Sequence, residues 1–237
     1  MALPKLTTPT YELEVPSTDE KIKYRPFLVR EEKILLIALE SEESTDILNA
    51  VKDIVAECTF NKLKIGDMPM FDIEYIFLNI RAKSVGEVSQ LKLKCPDDDE
   101  TFAEVEIDLS KVNVQVDKGH NPKIELTKDM GLIMKYPSID SFAGSGITNI
   151  TTDNMLDVIG SCILQIYDKK GEEVFEAKDQ TKKELSDFVE SLNTKQFQEV
   201  QKFFDTMPKL THKVTIENPK TKVKSDVILQ GLNDFFV

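Results

Sequence analysis

The sequence predicts an α+β protein: a helical body around a buried central helix (about residues 69–85), a small antiparallel β module (about 87–137) and a C-terminal β-hairpin. Three observations carry that expectation. Pro69 to Val88, PMFDIEYIFLNIRAKSVGEV, is apolar on nearly every side at helical spacing and stops at Gly86; a helix of that kind is surrounded by other elements. From Leu91 the apolar residues switch to strict alternation, the period of a strand with one dry face. The last third carries two helix-start signals and a turn flanked by β-branched residues. In chain order this divides the protein into residues 1–86, 87–137 and 138–237.

Residues 1–9, with Pro4 and Pro9, read as an extended arm. Tyr11–Val15 and Ile22–Tyr24 alternate around Pro16-Ser17-Thr18-Asp19, a hairpin, and Pro26 biases Arg25 away from helix. Val29–Leu39 reads as a helix with Ile34, Leu35, Leu36, Ile37 and Leu39 buried. After an acidic break a second helix places Ile47, Leu48, Val51, Ile54, Val55 and Cys58 on one stripe. Pro69 suits the first turn of the central helix, and Gly86 a left-handed stop.

Within the central helix Asp72, Asn79 and Lys83 share a narrow strip. Glu74 and Arg81 lie roughly opposite it, two turns apart, and need partners from other elements or from solvent. Beyond Gly86, Leu91, Leu93 and Cys95 face Ala103, Val105, Ile107 and Leu109 across the turn Pro96–Asp99, and Gln90, Lys92 and Lys94 face Glu104, Glu106 and Asp108. Opposite charges across such a hairpin stabilise it by roughly 0.2–1 kcal/mol per pair.

Val112, Val114 and Val116 continue as a third strand, and Ile124–Leu126 and Leu132–Tyr136 flank a turn at Lys128–Gly131. Ser138–Ile150, with Gly144 and Gly146, reads as a flexible connection. Thr152 or Asp153 starts a helix bearing Leu156, Ile159, Ile163 and Ile166. Thr181–Glu184 is a capping box, and Asn193–Gln196 starts a helix that Pro208 ends. Val214–Ile216 and Val223–Leu229 form the terminal hairpin. The chain then reaches Leu232, Phe235 and Phe236, whose docking within their own subunit is favoured over capture by a neighbour.

Composition bounds the function. Of 237 residues, 41% are hydrophobic and 30% charged, the balance of a folded chain. A net charge of −12 argues against nucleic acid or an anionic membrane surface as partner. The longest apolar run, Ile34–Leu39, is too short to span a bilayer, and the first residues lack a signal peptide's apolar stretch, so folding in a cytoplasm is expected. Cys58, Cys95 and Cys162 read as reduced thiols.

No catalytic or cofactor motif emerges. His120 and His212 lack relay partners in sequence and read as ordinary loop and strand residues. Cys95-Pro96 is at most half a zinc knuckle, and Asp97–Glu100 lacks the ligand spacing of a calcium loop, so it reads as a solvated acidic turn. The expectation is a protein that is not an enzyme, with no catalytic residues, no cofactor and no metal.

Several stretches together resemble a known family. They are MALPKLTTPTYELEVPS, KIKYRPFLVREEKILLIALES, MPMFDIEYIFLNIRAKSVGEV with the following KLKCPDD, QKFFDTMPKLTHKV and GLNDFF. The set is similar to baseplate hub proteins of T4-like contractile-tailed bacteriophages, most specifically over Arg81–Glu87. The resemblance implies a structural component of the tail baseplate hub, acting through protein–protein contacts during tail assembly. The alternative it implies is a transient hub assembly chaperone absent from the mature virion. A cell-wall hydrolase is the weakest reading.

The implied partners are other baseplate or hub proteins, with homo-oligomerisation within the baseplate as a further expectation and no nucleic acid or direct membrane insertion. The implied location is the virion tail baseplate, assembled in the host cytoplasm. Arg81, Lys83, Ser84, Glu87, Phe235 and Phe236 are the expected partner contacts.

Overall fold

The central helix forms where its apolar run places it. In a computed structural model, which describes residues 6–41, 43–98, 100–143 and 154–235, it spans Met70–Val85 and buries Phe71, Ile73, Ile76, Phe77, Leu78, Ile80 and Ala82. The elements in chain order are β1 (Tyr11–Glu14), β2 (Lys21–Tyr24), α1 (Val29–Ser41), α2 (Ser44–Cys58), α3 (Met70–Val85), β3 (Val88–Lys94), β4 (Phe102–Asp108), β5 (Asn113–Gln115), β6 (Lys123–Glu125) and β7 (Met130–Met134). There follow α4 (Ile139–Ala143), α5 (Met155–Ser161), β8 (Ile163–Asp168), β9 (Glu173–Glu176), α6 (Lys182–Glu190), α7 (Thr194–Thr206), β10 (Lys209–Glu217) and β11 (Lys224–Gln230). Helices and small antiparallel sheets make the α+β class the sequence predicts.

The chain gathers into two units, Met1–Gln115 with Lys209–Val237, and Val116–Pro208. This differs from the chain-order division at 86 and 137, because β5 pairs with β10, far ahead in sequence, while β6 and β7 join β8 and β9. The strands expected to form one module over 87–137 therefore enter three different sheets.

In the first unit, Asp72 at the start of α3 is fully buried. It accepts the backbone N–H of Ser17 at 3.1 Å and also the Ser17 hydroxyl, tying the β1–β2 turn to the helix. Pro69 sits just before the helix, at its N-cap position, and Gly86 follows it with φ +137° and ψ 155°. That is not the left-handed stop expected but an extended conformation open essentially to glycine alone.

The β3–β4 register is the one the sequence dictates: Leu91 opposite Val105, Leu93 opposite Ala103, and Lys92 opposite Glu104 with a 3.4 Å ion pair. The acidic turn is not simply solvated. Asp97 accepts both hydrogen bonds from the Asn218 amide (3.0 and 3.1 Å) and one from Thr221, joining the β3–β4 tip to the β10–β11 turn. Leu78, Ala82, Leu91, Ile107, Leu109, Val112, Leu210, Leu229 and Phe235 close into one core.

In the second unit the largest departure from expectation is Ile163–Asp168. Leu156, Ile159, Ile163 and Ile166 have helical spacing, yet the helix ends at Ser161 and β8 pairs with both β7 and β9. Backbone pairing with β7 outweighs the local period, as it does for short apolar runs that fit either template. The expected caps at Thr152 or Asp153, and the glycines at 144 and 146, lie outside the described residues. Both later start signals form full capping boxes, Thr181 with Glu184 and Asn193 with Gln196.

Gly131 in β7 is required by close approach. A Cβ there would stand 2.2 Å from the Tyr167 hydroxyl and 2.4 Å from the Ile124 carbonyl oxygen. The Tyr167 hydroxyl oxygen is itself buried without a hydrogen-bond partner, while Lys123 and Lys169 place their ammonium groups 5.2 and 5.7 Å from its ring centre. Deleting an unsatisfied buried hydroxyl is neutral or stabilising by about 1 kcal/mol. Tyr167→Phe is therefore expected to keep or raise the denaturation midpoint of the chain. Gly131→Ala should lower it, and adding Tyr167→Phe should not rescue it, because the carbonyl of Ile124 still blocks the methyl group.

Candidate interaction surface

The feature that stands out is α1. Its sequence, VREEKILLIALES, is rich in Leu, Ala, Glu and Lys, strong helix formers. Glu31 at its third position reaches back to accept the backbone N–H of Leu28 at 2.7 Å, one half of a capping box.

Glu31 is also buried, at 2% exposure, beside Arg25 at 7%. The Arg25 guanidinium lies 3.0 Å from Glu31 Oε1 and Arg30 Nε 2.6 Å from the same oxygen, while Arg30 bridges on to Glu57 of α2 at 3.3 Å. Arg25 further donates to the Pro26 carbonyl at 3.0 Å, and its own backbone N–H donates to the carbonyl of Cys58 at 2.9 Å. Burial opposes charge on Glu31, but the hydrogen bonds from Arg25, Arg30 and Leu28 outweigh it and hold the carboxyl below its ordinary range.

These contacts fix one side of α1 against the body. Glu31 and Ala38 are buried and Leu35 partly so. The rest of the apolar run is not. Val29 is 80% exposed, Ile34 44%, Leu36 54%, Ile37 55% and Leu39 40%. The sequence expectation that Ile34, Leu36, Ile37 and Leu39 are buried is thus corrected. The fold covers this aliphatic run on one side only. In α2, by contrast, Val51, Ile54, Val55 and Cys58 are buried as expected.

The expected contact residues are placed mostly in internal roles. Arg81 is partly buried, and desolvation lowers its pKa. Ser84 donates to the Ile80 carbonyl at 2.6 Å and accepts the Phe27 backbone N–H at 2.9 Å, so its hydroxyl ties α3 to the segment after β2. Lys83 pairs with Glu87 one turn on and lies 5.5 Å from the Tyr11 ring centre; both remain solvent-accessible. Phe235 is 0% exposed inside the core of its own unit, which leaves no ring surface for a partner. Phe236 lies outside the described residues.

Titratable groups elsewhere are held by structure. Burial pushes the thiols of Cys58 and Cys162 up to about 11, and Cys95 is buried too, so none is a nucleophile near neutrality. His120, expected as a solvated loop residue, is instead seated within the second unit. The Thr206 hydroxyl donates to the Lys202 carbonyl at 2.7 Å. His120 Nδ1–H therefore donates to Thr206 at 3.0 Å, and Nε2 accepts from the Tyr136 hydroxyl at 3.0 Å. Its ring lies 5.1 Å from that of Phe203. Among the described residues no group of three or more His, Cys, Asp or Glu could hold a metal ion, and no helix is long and apolar enough to cross a membrane.

Glu74 is partly buried as a residue, but its carboxylate is drawn under the C-terminal turn: a Cβ on Gly231 would stand 3.2 Å from Oε1. Burial pushes this carboxyl up to about 7, against a hydrogen bond from the Leu232 backbone that favours the anion.

The family model described as T4 bacteriophage base plate protein matches residues 8–237. No curated protein and no solved structure matches the chain.

Two outcomes follow from this chemistry. Glu31→Ala leaves the Arg25 guanidinium buried without its carboxylate and should cost about 3–5 kcal/mol in chemical denaturation. For Glu74 the folded pKa lies above the unfolded one, so its contribution is full below about pH 4.5 and is lost as pH rises through about 7. Glu74→Gln should match the parent at pH 4 and exceed its stability at pH 8 by roughly 1–3 kcal/mol.

Proposed function

The chain belongs to the family of T4 bacteriophage base plate proteins, and from that premise we propose that it is a structural component of the baseplate hub. In this reading it acts by protein–protein contact during tail assembly in the host cytoplasm and performs no catalysis. Membership of the family makes it a phage baseplate protein, with other baseplate proteins as partners.

The observation that carries the finer reading is α1. A run of exposed aliphatic side chains from Val29 to Leu39 on a helix anchored by a buried ion pair is a surface built to be covered. His120, the three buried thiols, Asp97 and Glu31 each have a structural task. That supports a contact role over chemistry.

The test is mass spectrometry of purified particles and of isolated hub subassemblies. The chain is expected in both at fixed stoichiometry. Presence in assembling hubs but not in finished particles would replace the structural reading with a transient assembly chaperone.

A further inference from the structure

We infer that the outward face of α1 is a two-fold interface that seats α1 of a second copy of this chain, antiparallel. At 3.6 residues per turn, Val29, Lys33, Leu36, Ile37 and Glu40 fall on one stripe, opposite the inward Glu31, Leu35 and Ala38. All five are exposed.

Apart from Val29, which has no counterpart on α1, the stripe is symmetric about the point between Leu36 and Ile37. Lys33 stands three and a half residues before that point and Glu40 three and a half after it, about 5 Å to either side along the axis. A two-fold axis there lays Leu36 against the partner subunit's Ile37, and the reverse. The same operation sets Lys33 against the partner subunit's Glu40 at one end and Glu40 against the partner subunit's Lys33 at the other. A closed pair of this kind needs a self-complementary patch, and this one is. A parallel arrangement would set Lys33 against Lys33 and Glu40 against Glu40.

Charge also selects the occupant. The protein carries −12 overall, which repels a copy of itself at most faces. This stripe carries one cation and one anion beside its apolar centre, so it matches a copy better than it matches a basic partner. Among the described residues neither Lys33 nor Glu40 forms an ion pair, whereas Arg30 is already held by Glu31 and Glu57. One pair of short helices covers less than a standard interface, so the dimer is weak.

The inference deepens the baseplate reading by naming what covers α1. It is tested on the purified chain, so it can fail while the chain is still found in particles, and the reverse.

Sedimentation equilibrium of the full chain from about 1 µM to about 1 mM should show a reversible monomer–dimer transition. Lys33→Glu and Glu40→Lys should each weaken it at least about tenfold. The double reversal Lys33→Glu/Glu40→Lys should restore it, and Leu36→Glu should abolish it, with circular dichroism unchanged because these side chains are exposed. A monomer at every concentration overturns the proposal. So do single reversals that behave like the parent, a double reversal that does not recover, or a face that is covered only when a different tail protein is added.

Discussion

The carboxylate of Glu31 is the constraint on which the arrangement of the first unit's outer helices depends. A single buried side chain receives the guanidinium of Arg25, that of Arg30 and the backbone N–H of Leu28. Through Arg25 it reaches the end of α2 at Cys58, and through Arg30 it reaches Glu57. A buried ion pair adds little net stability against a well-packed apolar substitute, but losing one member is costly, which makes it a device for fixing geometry. Here the geometry it fixes is the rotation of α1 about its own axis. The ion pair is turned inward, and the aliphatic residues the core does not need are turned out.

The same economy of polar ties recurs around α3. Asp72 holds the β1–β2 turn, Ser84 holds the segment after β2, and Glu74 meets the turn after β11. Its charged residues read in the sequence as ties to neighbouring elements or subunits, and three of its polar side chains, Asp72, Glu74 and Ser84, are bound to segments distant in the chain. The Arg81–Glu87 block is largely occupied with joining α3 to β3 and to the elements before it.

What could be read in the sequence was whatever short-range rules decide. The capping boxes at Thr181 and Asn193, the limits of α3 and the cross-strand charges of β3 and β4 each depend on residues within a few positions or one turn of one another. What could not be read depends on partners far away. Ile163 and Ile166 fit a helix locally, and only β7 makes them a strand. Val114 pairs with Leu210 rather than with its neighbour strand. His120 gives no sign in its own loop of Thr206 or Tyr136. The exposure of α1 was hidden for another reason. An aliphatic run states that a surface is to be dry, and it does not state whether the same chain supplies the cover.

The way the second unit interrupts the first sets an order of events during synthesis. Everything in Val116–Pro208 is made as one continuous piece and can close on itself as soon as it is out of the ribosome. The first unit begins earlier and finishes later: β10, β11 and Phe235 complete a core whose other walls, at Leu78, Leu91 and Ile107, were translated a hundred or more residues before. For that interval the early half carries open apolar surface and the unpaired edge of β5. The last strands act as a closure, so a chain cut short before Lys209 would keep its second unit while its first stayed open and prone to misassociation.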